Sequence, residues 1–136
     1  MSQFQKNTPD NALFLDANVL LEIVLGRKRE TVARKFIEKQ SESLFISALT
    51  AHLVVHFGQA IVDLPILRRF LSDYIILPLD PVDFEWAFAN IRNQDFEDAL
   101  QIAVAIRNGC DKFLTFDKAL ATSYKNLSAI QTQLLS

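Results

Sequence analysis

The sequence carries almost no cysteine, no surplus of charge of either sign and no long uninterrupted apolar run, and each absence narrows what the chain does. Its single cysteine, Cys110, excludes an intramolecular disulfide and any zinc ribbon or finger assembled from thiolates, which fits a reducing compartment. Fourteen basic against 16 acidic side chains leave a net charge of -2, so no general attraction to nucleic acid or anionic lipid follows, and RNA binding would have to be local. The apolar runs are broken by charges well short of membrane-spanning length, and residues 1–11 are polar, without the apolar stretch of a secretory signal. A soluble cytoplasmic protein with no membrane contact is the expectation. No repeat or low-complexity linker divides the 136 residues, which predicts one domain over 1–136 with a loose tail over 1–11.

What the sequence does hold is a regular alternation of elements. Ala12-Leu13-Phe14-Leu15 is a short apolar run that stops at Asp16, and Val19, Leu20, Ile23 and Val24 then follow at helical spacing. Gly26 and the basic Arg27-Lys28-Arg29 suit the end of that helix. A second helix is predicted over Glu30 to Gln40, with a buried strand at Leu44-Phe45-Ile46 ending on Ser47. The mostly apolar stretch from Leu49 to Val62 reads as a buried helix, and Pro65 opens another through Leu71. Tyr74 to Leu77 is a third strand. After Pro78 and Pro81, the residues Phe84, Ala87, Phe88 and Ile91 mark a helix. Asp95 opens the next one, striped by Ala99, Ile102, Ala103 and Ile106 and closed at Asn108-Gly109. A fourth strand at Lys112 to Thr115, a short helix from Lys118 to Tyr124 and a weak strand from Ser128 to Thr132 complete the chain. Alternating strands and helices predict a parallel sheet covered on both faces, with chemistry at the carboxyl ends of the strands.

Three carboxylates fall at such ends. Asp16 closes strand one, Asp117 follows strand four, and Asp98 lies in the first turn of the helix feeding strand four. Crowded carboxylates resist joint ionisation unless a cation neutralises them, which points to a hard divalent metal, Mg2+ or Mn2+, bound through oxygen. Such an ion lowers the pKa of a bound water and holds a phosphodiester oxygen, the two needs of phosphodiester hydrolysis.

The stretches Phe14-Leu15-Asp16-Ala17-Asn18-Val19-Leu20-Leu21, Asp98 to Ala105 and Gly109 to Asp117 together resemble the signatures of PIN domains, in order and across nearly the whole chain. The resemblance implies a three-layer α/β/α fold around about five parallel strands. Small members similar to VapC-type toxins imply ribonuclease activity, homodimerisation and neutralisation by an antitoxin protein. It also implies Asp16, Asp98 and Asp117 as catalytic metal ligands. One departure stands out, because the helix after strand two, which in the family supplies a further acid, has no carboxylate between Glu42 and Asp63. His52 lies nearest the missing position and is the candidate substitute ligand, though imidazole suits Mg2+ less well than a carboxylate does.

Each of these residues also has a plainer reading. Asp16 and Asp117 are good helix N-caps, and Asp95 with Asp98 has capping spacing, which makes Asp95 structural. Thr115 and Asn18 are expected to orient the ligand carboxylates rather than bind the ion. Glu97 points about a hundred degrees round the helix from Asp98 and is expected to face solvent or to support the site indirectly. His52 and His56 share a helical spacing, but Leu53 stands where a zinc protease needs its glutamate, so satisfied or interface histidines are the better reading. Arg68-Arg69 reads as a solvated face, and Arg27-Lys28-Arg29 is a weak phosphate footprint. The competing function is a catalytically weakened module that binds RNA or a protein partner. A phosphatase-like domain ranks third, since Asn18 stands where its second aspartate belongs.

Overall fold

The computed structural model describes residues 8, 9 and 11–136. Five strands, β1 (Leu13–Leu15), β2 (Leu44–Ser47), β3 (Tyr74–Leu77), β4 (Lys112–Thr115) and β5 (Gln131–Leu134), form one sheet in the order β3-β2-β1-β4-β5. Every neighbouring pair is parallel. Seven helices connect them: α1 (Ala17–Val24), α2 (Glu30–Glu38), α3 (Ala48–Gly58), α4 (Leu64–Leu71), α5 (Pro81–Asn90), α6 (Phe96–Arg107) and α7 (Lys118–Ser123).

The two-residue period of the strands sorts the core into two halves. Phe14 is in register with both Phe45 and Phe113, and its ring stacks on that of Phe113 at 5.4 Å between centroids. These residues face Ala87 of α5, the apolar stripe of α6, and Leu120 and Tyr124 at α7. Leu15, Ile46 and Leu114 point the other way, onto Val19, Leu20 and Ile23 of α1, Ala33 of α2, Val54 of α3 and Leu67 of α4. Helices on both faces of a parallel sheet make the expected three-layer α/β/α fold. Burial of both strand faces explains why β1, β2 and β4 read as short continuous apolar runs.

The chain moves outward from β1 through β2 to β3, then returns across the sheet to β4 and β5. β1 and β4 are therefore the central neighbours whose connections leave in opposite directions, the position at which sheets of this kind form a crevice outside the carboxyl ends of their strands.

Several expectations need correction. The final strand is Gln131–Leu134 rather than Ser128 to Thr132. Its place is set by parallel pairing with β4, where Lys112 meets Gln131 and Thr115 meets Leu134, while Ile130 is buried just ahead of it. Helix α3 stops at Gly58 rather than running to Val62. A Cβ at Gly58 would lie 2.8 Å from Val24 and 2.9 Å from Leu67, so α1 and α4 close onto that point. α3 is also not a buried helix, since only Thr50, Val54 and Gly58 are buried and Phe57 is exposed. Phe84, Phe88 and Ile91, the expected inner stripe of α5, are exposed, and its buried residues are Ala87 and Asp83. Asp83 accepts from Arg107 Nε at 2.7 Å and Nη2 at 3.1 Å, which supplies the partner that a buried carboxylate requires. The expected loose tail lies mostly outside the described residues, but Thr8 is buried and donates to the Gly109 carbonyl at 2.9 Å. The turn at Gly109 has φ 75°, a left-handed stop that glycine adopts without strain. Among the described residues, no helix is long and apolar enough to cross a membrane.

Candidate functional site

Asp16 leaves β1 at the crevice and serves as N-cap of α1, its Oδ1 accepting from the Ala17 N–H at 2.8 Å. Its Oδ2 accepts from the Thr115 hydroxyl at 2.8 Å, across the β1–β4 boundary. That hydroxyl accepts in turn from Asn18 Nδ2 at 3.1 Å and from the Asp117 N–H at 3.0 Å. A hydroxyl has one proton and two acceptor positions, so with both acceptor positions filled by N–H groups its proton is directed to Asp16. Asn18 is itself fixed, because its Oδ1 accepts from the Phe116 N–H at 3.2 Å. Thr115 thus bonds the Asp16 carboxylate directly, and Asn18 reaches it only through the Thr115 hydroxyl.

Asp98 sits in the first turn of α6, whose N-cap is Asp95. The Asp98 N–H donates to Asp95 Oδ1 at 3.3 Å, in agreement with a capping role for Asp95. The Asp98 side chain has a partner that sequence inspection missed, since its Oδ2 accepts from Asn93 Nδ2 at 2.9 Å. Asp117 follows β4 and caps α7, its Oδ1 accepting from the Leu120 N–H at 3.1 Å. The capping reading of Asp16 and Asp117 thus holds, and capping does not remove either from the crevice.

The electrostatics of these groups are mutually unfavourable. Burial raises the Asp16 carboxyl to about 6, with Glu97 and Asp117 adding to the rise and the bonds from Thr115 and Ala17 opposing it. Burial also raises Asp98 to about 7, with Asp16, Asp95 and Asp117 adding and the Asn93 bond opposing. No basic side chain contributes to either shift. Glu97, expected to face solvent or to support the site indirectly, is exposed and acts on Asp16 through its charge. Its own value is raised by burial and by Asp95.

The region of the missing acid is filled by a neutral network. Ser47 caps α3 and donates to Gln101 Oε1 at 2.6 Å, while Gln101 Nε2 donates to the Thr50 hydroxyl at 2.8 Å. All three residues are buried, and Gln101 stands one turn beyond Asp98 on α6. His52 is not brought to the carboxylates. It lies two residues beyond Thr50, about 200° round the helix, and is exposed with its ring stacked on His56 at 5.7 Å. Of the basic cluster, Arg29 is committed to the fold, donating to the Phe116 carbonyl at 3.0 Å and lying over the Phe116 ring.

The carboxylate donors suit a hard cation, and among the described residues no basic side chain offsets their charge. Among the described residues, no three acidic, histidine or cysteine groups stand close enough together to enclose an ion by themselves. Mg2+ does not require such a cage, since it commonly keeps several waters and takes only one or two carboxylates. In that sense the donor set fits.

Comparisons with known proteins agree with this architecture. The family model described as PIN domain matches residues 13–125. A toxin–antitoxin complex from Klebsiella pneumoniae superposes with a TM-score of 0.70 at 21% identity, covering 88% of this chain and 94% of that one. VapC20 of Mycobacterium tuberculosis, described as a toxin cleaving the sarcin–ricin loop, gives 0.66 at 14% identity over 82% and 94% of the two chains. VapBC2 of Rickettsia felis, solved bound to a DNA fragment from its promoter, gives 0.62 at 13% identity over 92% and 99%. At these identities the similarity establishes the fold alone. No curated protein sequence gives a significant match.

Proposed function

The chain belongs to the PIN domain family, and from that premise we propose that it is a metal-dependent endoribonuclease, the toxin of a toxin–antitoxin pair, cutting RNA by hydrolysis. The observation that carries this reading is the group of mutually repelling carboxylates after β1 and β4 and at the start of α6, Asp16 buried and Asp98 half-buried, each raised by burial and by its acidic neighbours. Asp16 and Asp98 would hold Mg2+ or Mn2+, with Asp117 adding to the negative field. When bound, the ion supplies a water of lowered pKa and a contact for a phosphodiester oxygen. The protein's own part is positional: Thr115 directs its proton to Asp16 Oδ2, and Asn18 keeps the Thr115 hydroxyl turned that way. A solved neighbour that is a toxin–antitoxin complex supports an antitoxin as the partner, and one described as a sarcin–ricin loop cleaving toxin supports a cleaving activity. A homodimer belongs to the same proposal. Exposed Leu64 and Ile76 border an open groove of about 860 Å³ between α4 and β3, apolar surface of the kind that subunit contacts cover.

A second reading, a module that binds RNA or protein without cutting, is favoured by one observation: α3 carries no carboxylate where the family has one. Incubating the protein and its Asp16→Asn form with structured and single-stranded RNA plus Mg2+ or Mn2+ separates the two. The nuclease reading predicts cleavage that the substitution removes. Equal cleavage by both forms would refute the site, and no cleavage together with no Mn2+ binding below millimolar would establish the binding module.

A further inference from the structure

Asp98 is steered by a chain of bonds that begins at the far end of α7. Tyr124, fully buried, is the C-cap of α7, the helix that Asp117 opens. Its hydroxyl accepts from the Arg92 N–H at 3.0 Å, which leaves its own proton for Asn93 Oδ1 at 3.3 Å. The Asp95 N–H points to the same Asn93 oxygen at 3.4 Å. Two donors on one side of the amide settle its orientation, because a flipped amide would set its NH2 against the Asp95 N–H, which has nothing to accept with. Asn93 therefore presents Nδ2, and only Nδ2, to Asp98 Oδ2 at 2.9 Å.

We propose that Asn93, oriented by Tyr124, is the positioning residue for Asp98: it occupies Oδ2 and fixes the rotamer that turns the other oxygen toward the crevice. This rests on the reading of Asp98 as a metal ligand. The parallel with Asp16 is close. There, a hydroxyl whose acceptor positions are filled donates to Oδ2; here, an amide whose oxygen is filled does the same. Helix α7 runs from one arrangement to the other, with Asp117, whose N–H bonds Thr115, at its start and Tyr124, which bonds Asn93, at its end. Partners behind a metal-binding side chain typically change metal affinity by about 10- to 100-fold when removed.

The test reads side-chain geometry first and metal second. In isotopically labelled, metal-free protein, three-bond couplings to the Asp98 carboxyl carbon report its χ1 rotamer. A single rotamer is expected in the wild type, averaging in Asn93→Ala and Asn93→Leu, and partial averaging in Tyr124→Phe. The leucine variant fills the space of the amide without its donor, so a role in packing alone would leave the couplings unchanged. If Asn93→Ala fails to fold, Tyr124→Phe and Asn93→Leu still decide. Mn2+ binding followed by electron paramagnetic resonance is expected to weaken about tenfold in Asn93→Leu. Unchanged couplings in the leucine variant would overturn the proposal. A wild type that holds Asp98 in one rotamer yet binds no Mn2+ would instead overturn the metal reading and leave the positioning role standing.

Discussion

Asp16 and Asp98 lie within each other's field and each accepts from one neutral side chain, yet they are held by different parts of the molecule. Asp16 is 5% exposed, and its support comes from the ends of adjacent central strands and the first turn of α1. Asp98 is partly exposed, and its support comes from the loop between α5 and α6 together with the end of α7. The strand ends are fixed by the whole sheet, whereas the loop is fixed by a few side-chain bonds. One carboxylate is thus built into the core and the other is attached to it, and substitutions should separate the two.

The largest expected effect is at Asp16. Asp16→Asn should lower RNA cleavage by at least about a hundredfold, since a metal site supplies several kcal/mol of transition-state stabilisation. The same substitution should stabilise the metal-free protein at neutral pH. Burial raises Asp16 from 3.8 to about 6, so the native state binds the proton more tightly than the unfolded chain does. The stability present below pH 4 is accordingly lost as pH rises through about 6, and Asp98 extends the loss through about 7. A shift of that size at Asp16 corresponds to about 3 kcal/mol. Urea unfolding in EDTA from pH 4 to 8 should show a falling curve for the wild type and a flatter one for Asp16→Asn. A variant less stable than wild type at pH 8 would contradict the account of an uncompensated buried charge.

The next effect separates the two supports. Thr115→Val removes the proton given to Asp16 and strands two donors, Asn18 Nδ2 and the Asp117 N–H, at a residue that is fully buried. A loss of about 3 kcal/mol is expected, because each stranded buried group costs about 1–3 kcal/mol. Asn93→Ala takes a partner from the partly exposed Asp98, from the exposed Asp95 N–H and from the buried Tyr124 hydroxyl, which keeps its bond from the Arg92 N–H, and about 1 kcal/mol is expected. Denaturant midpoints with unchanged slopes would measure both. Equal losses would mean that the loop is as firmly built as the strand ends.

The same contrast explains what was legible in the sequence. Strands β1, β2 and β4 and the aspartates after β1 and β4 follow from local apolar runs that stop at polar residues, whereas the order of the strands does not. Asn18 and Thr115 are legible because each lies two residues from an aspartate at a strand end, although Thr115 donates to the aspartate of the other strand and Asn18 bonds Thr115. Asn93 and Tyr124 could not be found this way, since they meet across 31 positions, and Gln101 meets Ser47 and Thr50 across 54 and 51. Nor does a pattern reveal which side of an apolar helix faces inward. α3 is apolar nearly all round, and α5 turns Phe84 and Phe88 outward while burying Asp83 against Arg107. Glu97, read from its angle to Asp98 as facing solvent or supporting the site indirectly, is exposed and adds to the negative field on Asp16. The one available signal was a second carboxylate beside Asp98 in a chain lacking its acid on α3.

The smallest expected effect lies at His52. Placed by sequence alone, it is the nearest candidate for the absent acidic ligand. In the fold, the inward positions of α3 are Thr50 and Val54, and the space beside α6 is closed by the bonds among Ser47, Thr50 and Gln101. An imidazole two residues from Thr50 cannot reach the crevice without unwinding the helix. His52→Ala should therefore leave Mn2+ affinity within about twofold and stability within about 0.5 kcal/mol, as at other exposed positions. A tenfold loss of Mn2+ binding would mean that α3 rotates when the ion binds, and that the side supported by α6 and α7 is the one the metal rearranges.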